Sequence, residues 1–169
     1  FFLRTPINLD KEERYGLEIS STYNPFNWWR LSLNFNYYGF KQKGEFEGKQ
    51  YGANNKTWTS QLNSKIKLPK NLAIETIFSY RGKFQDIQSI NKAVYRLNIA
   101  LSKDILNEKM TLNFAANNLL NTLIDRQELN TPSYQLQSTV YGLGRVFNAT
   151  VVYRFNRKKG DKDRLPEEN

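Results

Sequence analysis

The chain has 169 residues, a length that suits one domain, and its 25 Lys and Arg against 16 Asp and Glu give a formal charge of +9. It contains no His and no Cys, which removes the commonest metal ligand and general base together with disulfide and thiolate chemistry. The mean hydropathy is −0.69, and no apolar run approaches the roughly 18 residues of a transmembrane helix.

Two β-strands with a turn between them are the first predicted elements. In residues 14–24 and again in residues 28–38, apolar side chains occupy every second position. A side-chain period of two indicates a strand with one face in an apolar medium and one in a polar medium. The Asn-Pro-Phe-Asn sequence of residues 24–27 predicts the turn, and the glycines and polar residues of 39–56 predict a long loop.

The next two strands show the same alternation. They are predicted over residues 57–68 and 72–81, with a tight turn at residues 69–71 between them and a loop over residues 82–92 after them. Strands of about ten residues are longer than the roughly 5–6 residues usual in globular proteins. They match the roughly 9–11 residues of a strand that crosses an outer membrane.

Three further strands complete the predicted sheet. The fifth covers residues 93–102 and is followed by a short turn at 104–108. The sixth begins near Lys109 and leads into a long loop over 121–143, and the seventh covers 145–155. Long and short connections therefore alternate, as they do in outer-membrane barrels. The predicted fold is all-β, an antiparallel transmembrane β-barrel of which this chain supplies about seven strands.

Aromatic residues on the apolar faces of these strands fall at two levels, as two membrane interfaces would select. Those at the long-loop ends are Tyr15, Tyr37, Trp58, Tyr80 and Tyr95. Those at the short-turn ends are Tyr23, Trp29, Tyr153 and Phe155.

Charged residues within the predicted strands all fall on the polar faces. They are Glu18, Arg30, Lys65, Lys67, Glu75, Arg81, Arg96 and Arg154. A Lys or Arg at the lipid midplane costs about 2–4 kcal/mol, so a lipid-facing surface is expected to lack them. On the polar side they are candidates for lining a lumen, although a purely structural role is the simpler interpretation. The remaining positive charge suits solvated loops, an anionic surface or an anionic ligand.

Several stretches resemble TonB-dependent outer-membrane receptors. The sequence Tyr-Gly-Leu-Glu-Ile of residues 15–19 resembles a strand start of that family. Residues 101–106, 110–114 and 117–121 are similar to its penultimate hairpin, except that Asn118 stands where the family usually has Asp. The Val-Val-Tyr-Arg-Phe sequence of residues 151–155 resembles its terminal strand.

The resemblance implies a 22-stranded barrel, an N-terminal plug domain and a TonB-binding box, with this chain as the last third of the barrel. In that interpretation residues 1–13 end an extracellular loop, residues 14–155 form C-terminal barrel strands, and residues 156–169 are a charged, disordered periplasmic tail. The chain begins with Phe1 and not with Met, which also indicates a part of a longer protein.

The sequence therefore predicts a non-enzymatic protein of the outer membrane of a Gram-negative cell, without cofactor or metal. By resemblance it would belong to a receptor that imports a scarce solute, such as a siderophore or an oligomeric nutrient, when TonB acts on the plug. The expected partners are the bilayer and lipopolysaccharide, the rest of the barrel with its plug, and TonB, but no nucleic acid. Two alternatives are a soluble barrel or sandwich whose basic face binds nucleic acid or glycan, and a small barrel without a transport role.

Overall fold

The computed structural model describes residues 11–46, 48–131 and 134–155, and they form β-strands joined by turns and loops. In chain order the strands are β1 (Lys11–Phe26), β2 (Trp29–Phe46), β3 (Lys49–Leu68), β4 (Leu72–Arg81), β5 (Phe84–Gln85), β6 (Ser89–Asn91), β7 (Val94–Ile105), β8 (Met110–Asn117), β9 (Ile124–Asn130), β10 (Gln135–Tyr141) and β11 (Val146–Tyr153).

The main sheet has seven strands in the order β1-β2-β3-β4-β7-β8-β11, and each neighbouring pair is antiparallel. These are the seven strands that the alternation predicts, so the all-β antiparallel prediction is confirmed. The sheet is open: among the described strands, β1 pairs only with β2 and β11 pairs only with β8. The turn predicted at residues 69–71 is confirmed, with Lys70 and Asn71 at φ values of 63° and 55°.

The prediction of a long loop over residues 39–56 is wrong. β2 and β3 continue as a paired hairpin as far as Phe46 and Lys49, so only a tight turn remains at the tip. Glycine and polar residues suggested a loop because they are rare in strands that are packed on a core. This part of the hairpin has no core to face, and the backbone ladder continues because no proline interrupts it.

Smaller corrections concern the first strand. β1 begins at Lys11 and extends to Phe26, with an irregularity between Tyr23 and Phe26. The residues predicted to form the turn, 24–27, are therefore mostly strand, and the chain reverses at Asn27 and Trp28. The first ten residues of the predicted extracellular segment 1–13 and the whole predicted tail, 156–169, lie outside the described residues.

A second sheet is built from the two long connections that were predicted to be loops. Its four strands have the order β10-β9-β6-β5. The prediction that these connections are loops was therefore wrong, because they contain regular strands. β5 and β6 have only two and three residues, which is too short for a period of two to be recognised. The sheet joins the end of the main sheet at which β4 ends and β7 begins.

The main sheet has almost no hydrophobic core. Phe40 and Val94 are the only buried hydrophobic residues among the described ones. Side chains of the apolar face are largely exposed in the isolated chain; Leu17, Phe114 and Val151 retain 58–60% of their surface. No helix of the described residues could span a membrane. The sheet is therefore held by its backbone ladders, and its apolar face needs an apolar medium.

Two glycines allow a close approach between β1 and β2. Tyr15 lies opposite Gly39, and Gly16 lies opposite Tyr38, so the two pairs occupy opposite faces of the sheet. A Cβ at Gly39 would come within 2.6 Å of the Tyr15 ring, and a Cβ at Gly16 would lie 2.5 Å from the carbonyl oxygen of Tyr37. Gly39 thus makes room for a ring that covers bare backbone, and Gly16 allows the backbone of β2 to lie close to it.

The two glycines give a matched test of this arrangement. Gly16→Ala is expected to lower the free energy of unfolding by about 1–3 kcal/mol, because its Cβ meets backbone that cannot move without breaking the ladder. Gly39→Ala is expected to cost less, since the Tyr15 ring can rotate away. Thermal unfolding of the full chain in detergent, followed by heat-modifiable electrophoretic migration, measures both. An equal or smaller loss for Gly16→Ala would contradict the account.

Candidate functional site

The register of the main sheet places all the predicted lumen-lining residues on one face. Cross-strand partners share a face, and Arg30 lies opposite Lys65, which in turn lies opposite Glu75. The row continues through Ala100 on β7 to Ala115 on β8. Stepping by two residues from this row reaches every member of the predicted set: Glu18, Arg30, Lys65, Lys67, Glu75, Arg81, Arg96 and Arg154. We call this surface the polar face.

A cationic group lies at the short-turn end of the polar face. It consists of Arg30, Lys65 and Lys67, and within the described part of the chain no hydrogen bond or ion pair occupies their side chains. Glu75 accepts a hydrogen bond from the Nδ2 of Asn63 at 2.9 Å. Opposite like charges such as Arg30 and Lys65 destabilise a sheet, so this group favours an anionic neighbour on this face.

A second cationic group lies at the long-loop end, six residues further along β4, which is roughly 20 Å. Arg81 forms an ion pair with Asp125 of the second sheet, and its guanidinium lies 5.6 Å from the ring centroid of Phe84. Arg96 is on the neighbouring strand, opposite Ser79. Arg81 therefore ties the second sheet to the polar face, and Arg96 adds a charge beside that junction.

Arg154 has a structural role at the opposite end. Its Nη1 donates to the Oγ1 of Thr111 at 2.8 Å and to the carbonyl of Glu108 at 3.3 Å. Thr111 in turn donates to the carboxylate of Asp104 at 2.5 Å. The network joins the end of β11 to β8 and β7, so the Arg154 side chain helps to hold these three strands together.

The predicted aromatic levels lie on the face opposite the polar face, which we call the outer face. At the long-loop end, Tyr37 lies opposite Trp58, Trp58 stacks on Tyr80 with centroids 4.2 Å apart, and Tyr80 lies opposite Tyr95. Tyr15 completes the row on β1, with its ring over Gly39. Amphipathic rings in one continuous row across five strands suit a membrane interface.

The aromatics of the short-turn end form two groups at the sides of the sheet. Trp29 donates its indole N–H to the Oγ of Ser64 at 3.0 Å, which satisfies the polar tip of a ring on the outer face. Tyr23 lies on β1 opposite Leu31, which is two residues beyond Trp29 along β2. At the other side, Tyr153 contacts Phe155 edge to face with centroids 4.8 Å apart. Their role as membrane anchors stays a prediction, as does the lumen-lining role of the charged set.

Lys103 shows that the outer face is free of charge only between the aromatic levels. It lies just beyond the predicted fifth strand, because β7 extends to Ile105, and it lies opposite Leu72 and Leu112 on the outer face. Its ammonium donates to the carbonyl of Lys70 at 2.7 Å. A long side chain at the end of a strand can direct its charge away from lipid, and this one is held in the short turn.

Asn118 has a strand-end role, because its side chain binds the connection that follows β8. The residue is 4% exposed, and its backbone has a φ of 51°. Its Oδ1 accepts from the amides of Thr122 and Leu123 at 3.0 and 3.2 Å, and its Nδ2 donates to the carbonyl of Leu143 at 2.9 Å. The donor bond explains how Asn serves here, since a carboxylate could not donate to Leu143.

Comparison with known proteins decides the class of this chain. The family model described as "outer membrane protein beta-barrel family" matches residues 1–153. The chain belongs to the outer membrane protein beta-barrel family. No curated protein and no solved structure matches it. Membership gives the apolar medium that the outer face needs, because in this family that face meets lipid.

The outer-membrane location predicted from the sequence is therefore confirmed, and it does not fit the alternative of a soluble module. In this outer-membrane protein the polar face is the candidate functional surface, with one cationic group at each end. The described residues contain no cluster of three or more side chains suited to a metal ion. The TonB-dependent mechanism and the 22-stranded barrel stay predictions.

A pair of substitutions tests which face meets lipid. Leu33→Arg is expected to lower the free energy of unfolding in vesicles by about 2–4 kcal/mol, because Leu33 lies on the outer face midway between the aromatic levels. Asn34→Arg adds the same charge at the next position, on the polar face, and is expected to cost little. Guanidinium unfolding of the full chain in phosphatidylcholine vesicles measures both. A larger loss for Asn34→Arg would mean that the faces are reversed.

Proposed function

We propose that this chain forms part of the wall of a TonB-dependent receptor that imports a scarce solute through a plug-gated barrel. The observation that carries the proposal is the polar face of the membrane-spanning sheet. Cationic side chains lie at both of its ends and form few hydrogen bonds or ion pairs within the described part of the chain. In a barrel wall this face borders the lumen, where an anionic solute or the carboxylates of a plug domain can pair with it.

The arrangement of the second sheet supports a gated lumen. It is attached at the long-loop end, which is the extracellular end of outer-membrane barrels. There the ion pair between Arg81 and Asp125 holds it to β4, and the 2.6 Å ion pair between Lys92 and Glu128 joins the end of β6 to β9 within the second sheet. Asp86 also accepts from the amide of Ser89 at 2.7 Å, which fixes the connection between β5 and β6. An ordered structure beside the mouth suits selective binding better than free diffusion.

The resemblance in residues 15–19 and 151–155 supports the TonB-dependent class within the outer-membrane family. The structure gives the first stretch a physical reason, because a side chain at position 16 would meet the backbone of β2. It also gives one to Arg154, which anchors the last strand through Thr111. These are structural reasons, and they leave the transported solute to be identified by experiment.

Binding to TonB and ion conductance are the two properties that test the proposal. The full-length protein is expected to bind the periplasmic domain of TonB, and reconstituted in planar bilayers it is expected to show little steady ion conductance because a plug fills the lumen. Biolayer interferometry and single-channel recording measure the two properties. An open pore that conducts ions steadily, together with no binding of TonB, would overturn the proposal in favour of a passive channel.

The cations of the polar face give a second test. In cells, Arg30→Gln with Lys65→Gln is expected to slow uptake of an anionic ferric siderophore by about tenfold at low ionic strength, and by less at high ionic strength, because steering by charge is screened by salt. Lys83→Gln with Lys109→Gln removes two exposed charges outside the barrel strands and is the matched control. Equal uptake by both double variants would assign the cations a purely structural role.

A further inference from the structure

Four lysines stand on the outer face, immediately beyond the aromatic row of the long-loop end. They are Lys11, Lys41, Lys43 and Lys56, all with exposed side chains. We call them the outer lysine patch. They were hidden from the sequence pattern because three of them fall in the stretch 39–56, which was predicted to be a loop.

The register fixes how the patch is arranged. Lys56 lies opposite Gly39, the residue covered by the Tyr15 ring, and Lys41 is two positions further along β2 on the same face. Lys41 and Lys56 are therefore diagonal neighbours, with Cβ atoms roughly 7–8 Å apart. Lys11 and Lys43 face each other directly in the next row outward. Two ammonium groups at this spacing can approach one phosphate group from two sides.

The charge of the patch is only partly balanced. Two carboxylates share this part of the outer face. Glu13 is paired with Lys11 at 2.6 Å, and Glu45 lies nearer the tip of the hairpin and accepts from Gln50 at 2.6 Å. The pKa of Glu13 is lowered, mainly by the hydrogen bond from Lys11 and further by the charges of Lys41 and Lys43. An excess of positive charge stays on a surface that points away from the lumen.

The depth of the patch suits lipid headgroups. Lys56 is two residues beyond Trp58 and Lys41 is four residues beyond Tyr37, which is roughly 7 Å and 14 Å along the strands. The strands of such barrels tilt by about 35–45°, so the heights above the aromatic row are smaller. Aromatic rows sit at the level of the headgroups, which places Lys41 and Lys56 beside the phosphate groups of the outer leaflet.

We propose that the outer lysine patch binds the phosphate groups of anionic lipid headgroups in the extracellular leaflet. Lipid is the occupant that the geometry favours, because the patch is continuous with the aromatic row and faces outward with it. A lumenal solute would have to reach the opposite face of the sheet. The proposal rests on the outer-membrane location and does not depend on the transport mechanism.

The test uses the full-length protein in phosphatidylcholine nanodiscs that contain a low fraction of bis-phosphorylated lipid A. Native mass spectrometry counts the lipid A molecules retained by the protein. Lys41→Gln with Lys56→Gln is expected to weaken retention about tenfold, since each lysine near an anionic surface contributes to lipid binding. Lys70→Gln with Lys109→Gln removes two charges at the short turns and is expected to retain lipid A like the unmodified protein.

Three further measurements separate the outcomes. Lys41→Arg with Lys56→Arg is expected to retain lipid A, which shows that loss in the Gln variant is not a failure to fold. Dephosphorylated lipid A is expected to bind the unmodified protein and the Gln variant equally weakly. Equal retention of bis-phosphorylated lipid A by the Gln variant and the unmodified protein would overturn the proposal. So would tight binding of a soluble phosphorylated glucosamine that the same variant abolishes, because the site would then serve a soluble anion.

Discussion

The structure depends on one constraint. Successive side chains of each strand in the main sheet point to opposite faces, and the two faces require different media. The backbone ladders satisfy the N–H and C=O groups between neighbouring strands, but they bury almost no apolar surface, since Phe40 and Val94 are the only buried hydrophobic residues described. The stabilisation that a soluble protein obtains from its core must here come from lipid on the outer face. Family membership supplies that lipid, and the sheet architecture explains why the family needs it.

The same constraint accounts for where charges occur on the outer face. Between the aromatic levels that face carries none, because an ammonium or guanidinium in lipid is costly. Beyond the row formed by Tyr37, Trp58 and Tyr80, lysines occupy the outer face of the same strands. The continuous ladder of β2 and β3 thus extends past the aromatic row without a change in backbone structure.

Prediction from sequence succeeded where the membrane imposes a pattern and was wrong where it does not. β4 has the predicted bounds, because lipid on one face enforces a strict period of two over its whole length. Residues 39–56 were wrongly predicted to form a loop, because outside the membrane no medium selects between the two faces and the polar residues carry no period. The hydrogen bonds of Asn118 reach Asn98 and Leu143, which lie 20 and 25 positions away in the chain, and no local pattern reveals them.

The sequence by itself determined the seven strands, the face on which the charged residues of the predicted strands lie, and the two aromatic levels, because each of these follows from the alternation of side chains along one strand. Only the tertiary structure decided which residues meet across strands. It paired Arg30 with Lys65, placed the Tyr15 ring over Gly39, extended the β2–β3 hairpin beyond the aromatic row, and brought Lys41 and Lys56 together. Register decides these contacts, and register depends on the hydrophobic patterns of two strands together and on the geometry of the turn between them.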